Sequence, residues 1–298
     1  MTSAPSDPRF RRVPPILALA TSGAWCSVAL AWPDPQAGAP DAQAIDRSVE
    51  GATGGLQWAG LQWASASELA GQAHSQRVLP MAHELLEQAG LRMADLGLIA
   101  FDAGPGSFTG LRIGCGLAQG LALGISCPVA PVSSLRALAW PHRRLAVLSA
   151  TDARMGEVYF ARWAVVPGDD AAVARVPDAS LAVGPPADLS ALIQILAHGD
   201  SGGTGSPGVQ GRWVAAGDAF ARYPELAEQA RAGGARVCAD VFPRADAIAE
   251  CAALAWLDGR VLDPDDAVPV YVRNKVALDV DEQRALRQAR DAARDGSQ

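Results

Sequence analysis

The sequence predicts an α/β fold of two duplicated lobes with a cleft between them. An internal echo is the first reason: "LALATSGAWCSVAL" (Leu17 to Leu30) and "VLSATDARMGEVYF" (Val147 to Phe160) align without gaps at an offset of 130 residues. Each is an apolar run, an Ala-Thr, a polar turn and a second apolar run, the pattern of a strand, a tight turn and an antiparallel strand. Mixed helix and strand periods behind both copies are the second reason. Bulk is the third: 298 residues, 49% hydrophobic and 19% charged, can bury a substantial core and form one large domain or two.

Residues 1 to 14 carry prolines and arginines without periodicity and read as a loosely held tail. Arg11 and Arg12 before "ILALATSGAWCSVALA" imitate a signal peptide, but the prolines and Thr21-Ser22-Gly23 break that pattern. No run of about 18 uninterrupted apolar residues occurs, so we expect no membrane segment and a cytoplasmic location. The first lobe is expected over 15–142, its hairpin carrying an insertion at about 33–67 that is rich in Gly, Ala, Gln and Trp, with the near-repeats "LQWAG" and "LQWAS". Val78, Ala82, Leu85, Leu86 and Ala89 share one face at helical spacing, so a helix spans roughly Ser75 to Ala89, and Gly90 stops it. "LGLIAFDA" and "CPVAPV" read as buried strands. The second lobe, 143–278, has helices near Leu189 to Ala197, Tyr223 to Ala232 and Ala245 to Leu257, and a Gly/Ser/Pro-rich loop at about 199–211. A charged tail occupies 279–298.

Net charge −7 and a pI near 5.1 offer no basic field for tight nucleic-acid binding by this chain alone. Five cysteines without a CxxC pair argue against a disulfide framework or a thiolate zinc site; they read as reduced packing residues. The histidines, His74, His83, His142 and His198, form no HxxxH pair that could place two imidazoles on adjacent helical turns around a metal.

Glycine recurs in "FDAGPGSFTGLRIGCGLAQGLALG" (Phe101 to Gly124). A Walker loop needs a lysine, and none lies near. The dinucleotide fingerprint fails because Thr109 stands where the third glycine belongs, and Ser107 lacks the neighbours of a nucleophile elbow. What remains is a tight turn at Gly104-Pro105-Gly106, with Ser107 as N-cap of a helix running to about Gly124. Gly106, Gly110 and Gly114 recur every fourth residue, as do Gly116, Gly120 and Gly124. Each costs roughly 1 kcal/mol of helix propensity against alanine, so something approaches this backbone closely: the chain's own sheet or a partner chain. Asp152, in the second hairpin turn, stands where an aspartate either holds magnesium on a nucleotide or closes an Asx-turn; its first-lobe counterpart is Ser22.

Five ordered segments resemble one family. "HSQRVLPM" (His74 to Met81), "GPGSFTGLRIG" (Gly104 to Gly114), "AQGLALG" (Ala118 to Gly124), "DARMGEVYF" (Asp152 to Phe160) and "PVYVRNKVA" (Pro269 to Ala277) are similar to the bacterial TsaB family, formerly called YeaZ. The resemblance runs from about Ile16 to Ala277 and implies the actin-like, Hsp70-like ATPase fold of two ribonuclease-H-like lobes. It implies a non-catalytic scaffold in the machinery that makes threonylcarbamoyladenosine beside the tRNA anticodon. There the related TsaD holds the metal and transfers the threonylcarbamoyl group, TsaE is an ATPase, and tRNA is reached only through the complex.

The chain departs from the family at Leu19-Ala20-Thr21, where members commonly have an aspartate, which removes a ligand for magnesium or water. The insertion at 33–67 is also atypical. No cofactor is required on this reading, and a nucleotide at a subunit interface and a vestigial nucleotide site at Asp152 stay open. The family's first-lobe helices pair with those of TsaD or of a second copy. By that analogy Val78, Met81, Ala82 and Leu85, with Arg112, Cys115 and Gly116, are expected to contact the partner. The rivals are an active kinase or ATPase of the same fold, a metalloprotease, which the missing histidine pair disfavours, and a homodimer acting outside tRNA modification.

Overall fold

The computed structural model describes residues 7, 10, 12–34, 49–50, 56–57, 60–71, 73–164, 181–198 and 213–272. Two five-stranded sheets organise it. The first has the order β5-β2-β1-β6-β7, built from β1 (Ile16–Ala20), β2 (Trp25–Pro33), β5 (Leu61–Leu69), β6 (Leu98–Gly104) and β7 (Val129–Ser133). The second has the order β10-β9-β8-β11-β12, from β8 (Ala146–Arg154), β9 (Glu157–Trp163), β10 (Ala182–Gly184), β11 (Trp213–Ala216) and β12 (Ala235–Cys238). In each, a hairpin supplies an antiparallel pair and crossovers add two parallel strands. The echoed hairpins thus occupy equivalent places, and the two orders repeat one topology.

The helices are α1 (His74–Ala89), α2 (Phe108–Ile125), α3 (Ser134–Ala139), α4 (Pro186–His198), α5 (Ala219–Arg222), α6 (Pro224–Ala232) and α7 (Ala245–Leu257). α1 ends at Gly90 in the left-handed conformation, with φ 67°, as its sequence predicts. α1 and α2 cover one face of the first sheet through Leu17, Leu19, Val28, Ile99 and Phe101. α3 and α7 fill the space between the sheets, where Ile16, Ala18, Leu98 and Ala100 meet Val147, Trp163 and Val214 across Ile248 and Leu254. α4 and α6 close the outer face of the second sheet. The apolar residues of α7 run all round it because both of its sides are covered. α2 has the length and apolarity of a membrane span, but its inner face is committed to β6.

Three expectations need correction. Leu61 to Ser67, assigned to an insertion, belong to β5, which pairs with β2 from Trp25↔Leu69 to Pro33↔Leu61. Alternation in "LQWASASEL" is weak because β5 is an edge strand with one face half covered. The short strands β3 (Val49–Glu50) and β4 (Leu56–Gln57) pair within the remaining excursion. The N-terminal tail is pinned where described: Val13 is buried, Phe10 packs edge-on to Trp256 at 5.1 Å, and Trp256 Nε1 donates to the Arg12 carbonyl at 2.8 Å. After α7 the chain returns to the first lobe, where Leu262 bridges Val129. The loop at 199–211 and the tail at 279–298 lie outside the described residues. All five cysteines are free, and burial pushes the Cys251 thiol up to about 12, as befits a packing residue.

Candidate functional site

The glycine stretch and the first hairpin turn form one interlocked unit. Ser107 caps α2, its Oγ accepting from Gly110 N at 3.3 Å. Ser107 N donates to the Ser22 carbonyl at 2.6 Å, and Thr21 Oγ1 donates to the Gly110 carbonyl at 2.8 Å. Below them the fully buried Asp102 carboxylate accepts from Thr21 N at 3.1 Å and Ser22 N at 2.9 Å. A phosphate loop aims free amides at an anion. Here Ser107 N, Gly110 N, Thr21 N and Ser22 N already have acceptors, so the turn is a clamp between strand and helix.

Glycine is what lets the parts close. A Cβ on Gly106 would stand 2.6 Å from the Ser22 carbonyl oxygen and one on Gly114 2.5 Å from Thr21 Oγ1; one on Gly110 would be closer still to the Thr21 carbonyl oxygen. Burial pushes the Asp102 carboxyl up to about 6, against the lowering by the hydrogen bonds from Ser22 and Thr21. The folded chain therefore holds this proton more tightly than the unfolded one. Its stabilising share is complete below about pH 4 and is lost as pH rises to about 6, on the order of 2–3 kcal/mol. Asp102→Asn should remove that slope; urea melts of both proteins from pH 4 to 7 check it, and parallel curves would contradict it.

The second glycine row has a different environment. At Gly116, Gly120 and Gly124 an added Cβ would meet nothing within 4 Å. These glycines lie on the exposed face of α2 with Arg112 and Leu123, the latter 54% exposed. Beside it α1 exposes Leu79, His83, Glu84 and Glu87. One flank of α2 is covered by the chain itself: Gln119 Nε2 donates to the carbonyls of Pro264 (3.0 Å) and Ala267 (3.1 Å), and Val270 N to the Ala103 carbonyl (2.7 Å). This strap, 262–272, leaves the glycine row open.

The expected contact residues separate accordingly. Val78, Met81, Ala82 and Leu85 do not face outward: they are buried on the sheet, because the apolar stripe of an amphipathic helix turns to its own core first. Cys115 is likewise buried, its Sγ 3.5 Å from the Ala267 carbonyl under the strap. Arg112 is exposed, but its guanidinium lies 3.7 Å from the Phe108 ring centroid and donates to Tyr271 Oη at 3.3 Å. Gly116 alone combines exposure with an open approach. The sequence does not single out Leu123 and Leu79 as surface, and it leaves open whether the row of Gly116, Gly120 and Gly124 faces the chain's own sheet or a partner.

The second turn repeats the first with different chemistry. Asp152 N donates to Asp218 Oδ1 at 2.9 Å, and Asp218 follows β11 as Asp102 lies on β6. Burial raises the Asp218 carboxyl above its usual range. Asp152 Oδ1 accepts from Arg154 N at 3.0 Å and its Oδ2 pairs with the Arg154 guanidinium at 3.3 Å, which is the Asx-turn geometry. Among the described residues no three His, Cys, Asp or Glu side chains are grouped to hold a metal ion.

Known proteins resemble this chain in sequence and in fold. Residues 66–261 match the family model described as TsaD, tRNA N6-adenosine threonylcarbamoyltransferase. The tRNA threonylcarbamoyladenosine biosynthesis protein TsaB of Escherichia coli (strain K12) is 33% identical over 217 residues, 70% of this chain and 85% of that protein. The protein of the same name from Haemophilus influenzae is 44% identical over 123 residues, 40% of this chain and 52% of its own. The solved structure of YeaZ from Pseudomonas aeruginosa superposes with a TM-score of 0.59 at 28% identity, covering 87% of this chain and 99% of that one. A Pseudomonas aeruginosa protein described as uncharacterized, with similarity to peptidase YEAZ, gives 0.60 at 30% identity, covering 87% and 100%.

Proposed function

Since the chain belongs to the TsaB family, we propose that it serves tRNA threonylcarbamoyladenosine biosynthesis as a non-catalytic subunit whose open α1/α2 face binds TsaD. The observation that carries this reading is the row of Gly116, Gly120 and Gly124. Each weakens the helix by roughly 1 kcal/mol, and nothing within the described residues uses the space thereby left. Such a row suits a second helix at close approach.

The turns support the non-catalytic half of the reading. In the first, the amides of Thr21, Ser22, Ser107 and Gly110 are already bound, and Ala20 offers no carboxylate. In the second, Asp152 is engaged by Arg154. With its net charge of −7, the chain reaches tRNA through the complex rather than by its own field. TsaE completes the set of partners, and a second copy of this chain competes with TsaD for the same face.

Reconstitution tests the function. With TsaD, TsaE, the threonylcarbamoyl-adenylate supply and tRNA present, omission of this chain should reduce modified tRNA to background, and the chain alone should neither modify tRNA nor turn over ATP. Undiminished product without the chain sinks the proposal. ATP turnover by the purified chain that disappears in Asp152→Ala would favour the kinase-like alternative.

A further inference from the structure

We propose that Arg112, held in place by Phe108 and Tyr271, is a preorganised binding site for a carboxylate of TsaD at one end of the glycine row. The proposal rests on the reading of the α1/α2 face as the partner surface and names the polar chemistry which that face recognises. Arg112, Gly116, Gly120 and Gly124 follow one another every fourth residue and so form a single row along α2. The row spans about 18 Å, with the arginine one turn before the first open glycine. A helix laid on the glycines therefore brings one of its ends to the level of Arg112. α2 has no other charged residue.

The guanidinium is fixed before any partner arrives. Its Cζ lies 3.7 Å from the centroid of the Phe108 ring, which covers one face, and its Nε donates to Tyr271 Oη at 3.3 Å. Tyr271 is in turn placed by the strap, where the neighbouring Val270 N donates to the Ala103 carbonyl at 2.7 Å, and its ring lies 5.8 Å from that of Phe108. The two terminal nitrogens keep their N–H donors without an acceptor among the described residues. Two parallel N–H···O bonds from such a fork are what a carboxylate takes. Because ring and hydroxyl already restrict the side chain, less of its rotamer freedom, about 2 kcal/mol for a free arginine, is lost on binding.

No carboxylate of the described residues pairs with Arg112. On α1, Arg77 chelates Glu68 and lies in the field of Glu84, while His83 Nε2 stands 3.2 Å from Glu87 Oε1. On the strap, Asp263, Asp265 and Asp266 flank the Pro264 carbonyl that Gln119 binds, about two turns of α2 from Arg112, where solvent and salt screen them. The arginine is thus an isolated cation beside two half-exposed aromatic rings and an apolar row. That setting suits one carboxylate in an interface that excludes water, whereas a nucleic-acid backbone requires several basic residues together.

Calorimetric titration of TsaD with the full chain and its variants, at low and high salt, tests this. Arg112→Ala should weaken binding about 30-fold and flatten its salt dependence. Arg112→Lys should recover only a small part, since an ammonium cannot chelate a carboxylate. Tyr271→Phe should weaken binding about three-fold with an unchanged urea melt, and should have no further effect in the Arg112→Ala background. Neutralising the Asp and Glu residues of TsaD one at a time should reveal one whose loss matters only while Arg112 is present. If Gly120→Leu weakens binding and Arg112→Ala does not, the partner surface stands and the anchor falls. If neither variant alters affinity, the surface reading falls as well. An additive effect of Tyr271→Phe refutes its positioning role. If Arg112→Ala weakens binding but no carboxylate of TsaD couples to it, or if the loss appears only in the affinity of the assembled complex for tRNA, the assigned ligand is overturned.

Discussion

Leucine at Gly116 or Gly120 should leave the lone chain folded and weaken its binding to TsaD at least ten-fold. At both positions the space outside the backbone is open, so the side chain meets no atom of its own chain. Helix propensity even improves, so alanine at either site should raise stability by about 0.5–1 kcal/mol. A partner helix seated on the glycine row would be held off by the new side chain, with loss of the close packing it makes there. Calorimetric titration against TsaD and urea melts of the lone chain measure the two effects separately. Unchanged affinity in Gly120→Leu, with the melt intact, would remove α2 from the partner surface.

Alanine at Gly110, only six residues from Gly116, should act in the opposite sense and destabilise the chain by about 3 kcal/mol or more. Its Cβ would overlap the Thr21 carbonyl oxygen, a backbone atom of the residue that directly follows β1 and whose amide is held by Asp102. No rotamer change relieves a clash between two backbones, so α2 must lift from the turn. That movement would stretch the bonds from Thr21 Oγ1 to the Gly110 carbonyl and from Ser107 N to the Ser22 carbonyl. Urea denaturation should show a lower midpoint at unchanged slope. A midpoint equal to that of the unaltered chain would mean that the turn yields, and the clamp would not be the constraint described.

These two results together would show that glycines of one helix, identical in sequence terms, do unrelated work. Spacing alone places Gly106, Gly110 and Gly114 in one row and Gly116, Gly120 and Gly124 in another, and it excludes a phosphate loop from missing residues. It does not say which row faces inward. The apolar period of α1 marks Val78, Met81, Ala82 and Leu85 as one face, but a period is the same whether the face meets a sheet or a second protein. Here the sheet takes it.

Local pattern was sufficient where the physics is local. The hairpins, the capped start of α2 at Ser107, the left-handed stop at Gly90 and the span of α7 follow from turn chemistry and period. So does the duplication, because each hairpin must bury a similar pair of apolar runs. Non-local contacts carried no comparable signal. β5 was hidden in a composition that suggested an insertion, since an edge strand with one half-covered face has little alternation to read. Asp102 and Asp218 reach turns 80 and 66 residues away in the chain. The apolar run around Asp102 marks a buried strand, but nothing near either aspartate in sequence says which amides its carboxylate caps.

By itself, then, the sequence determined two similar α/β lobes, the absence of a Walker or dinucleotide motif in the glycine stretch, and the resemblance to the TsaB family. Only the tertiary structure decided which glycines close the chain on itself and which remain open to a partner. The physical reason is that a glycine records close approach without recording what approaches, and that second body is supplied by segments far away in the chain.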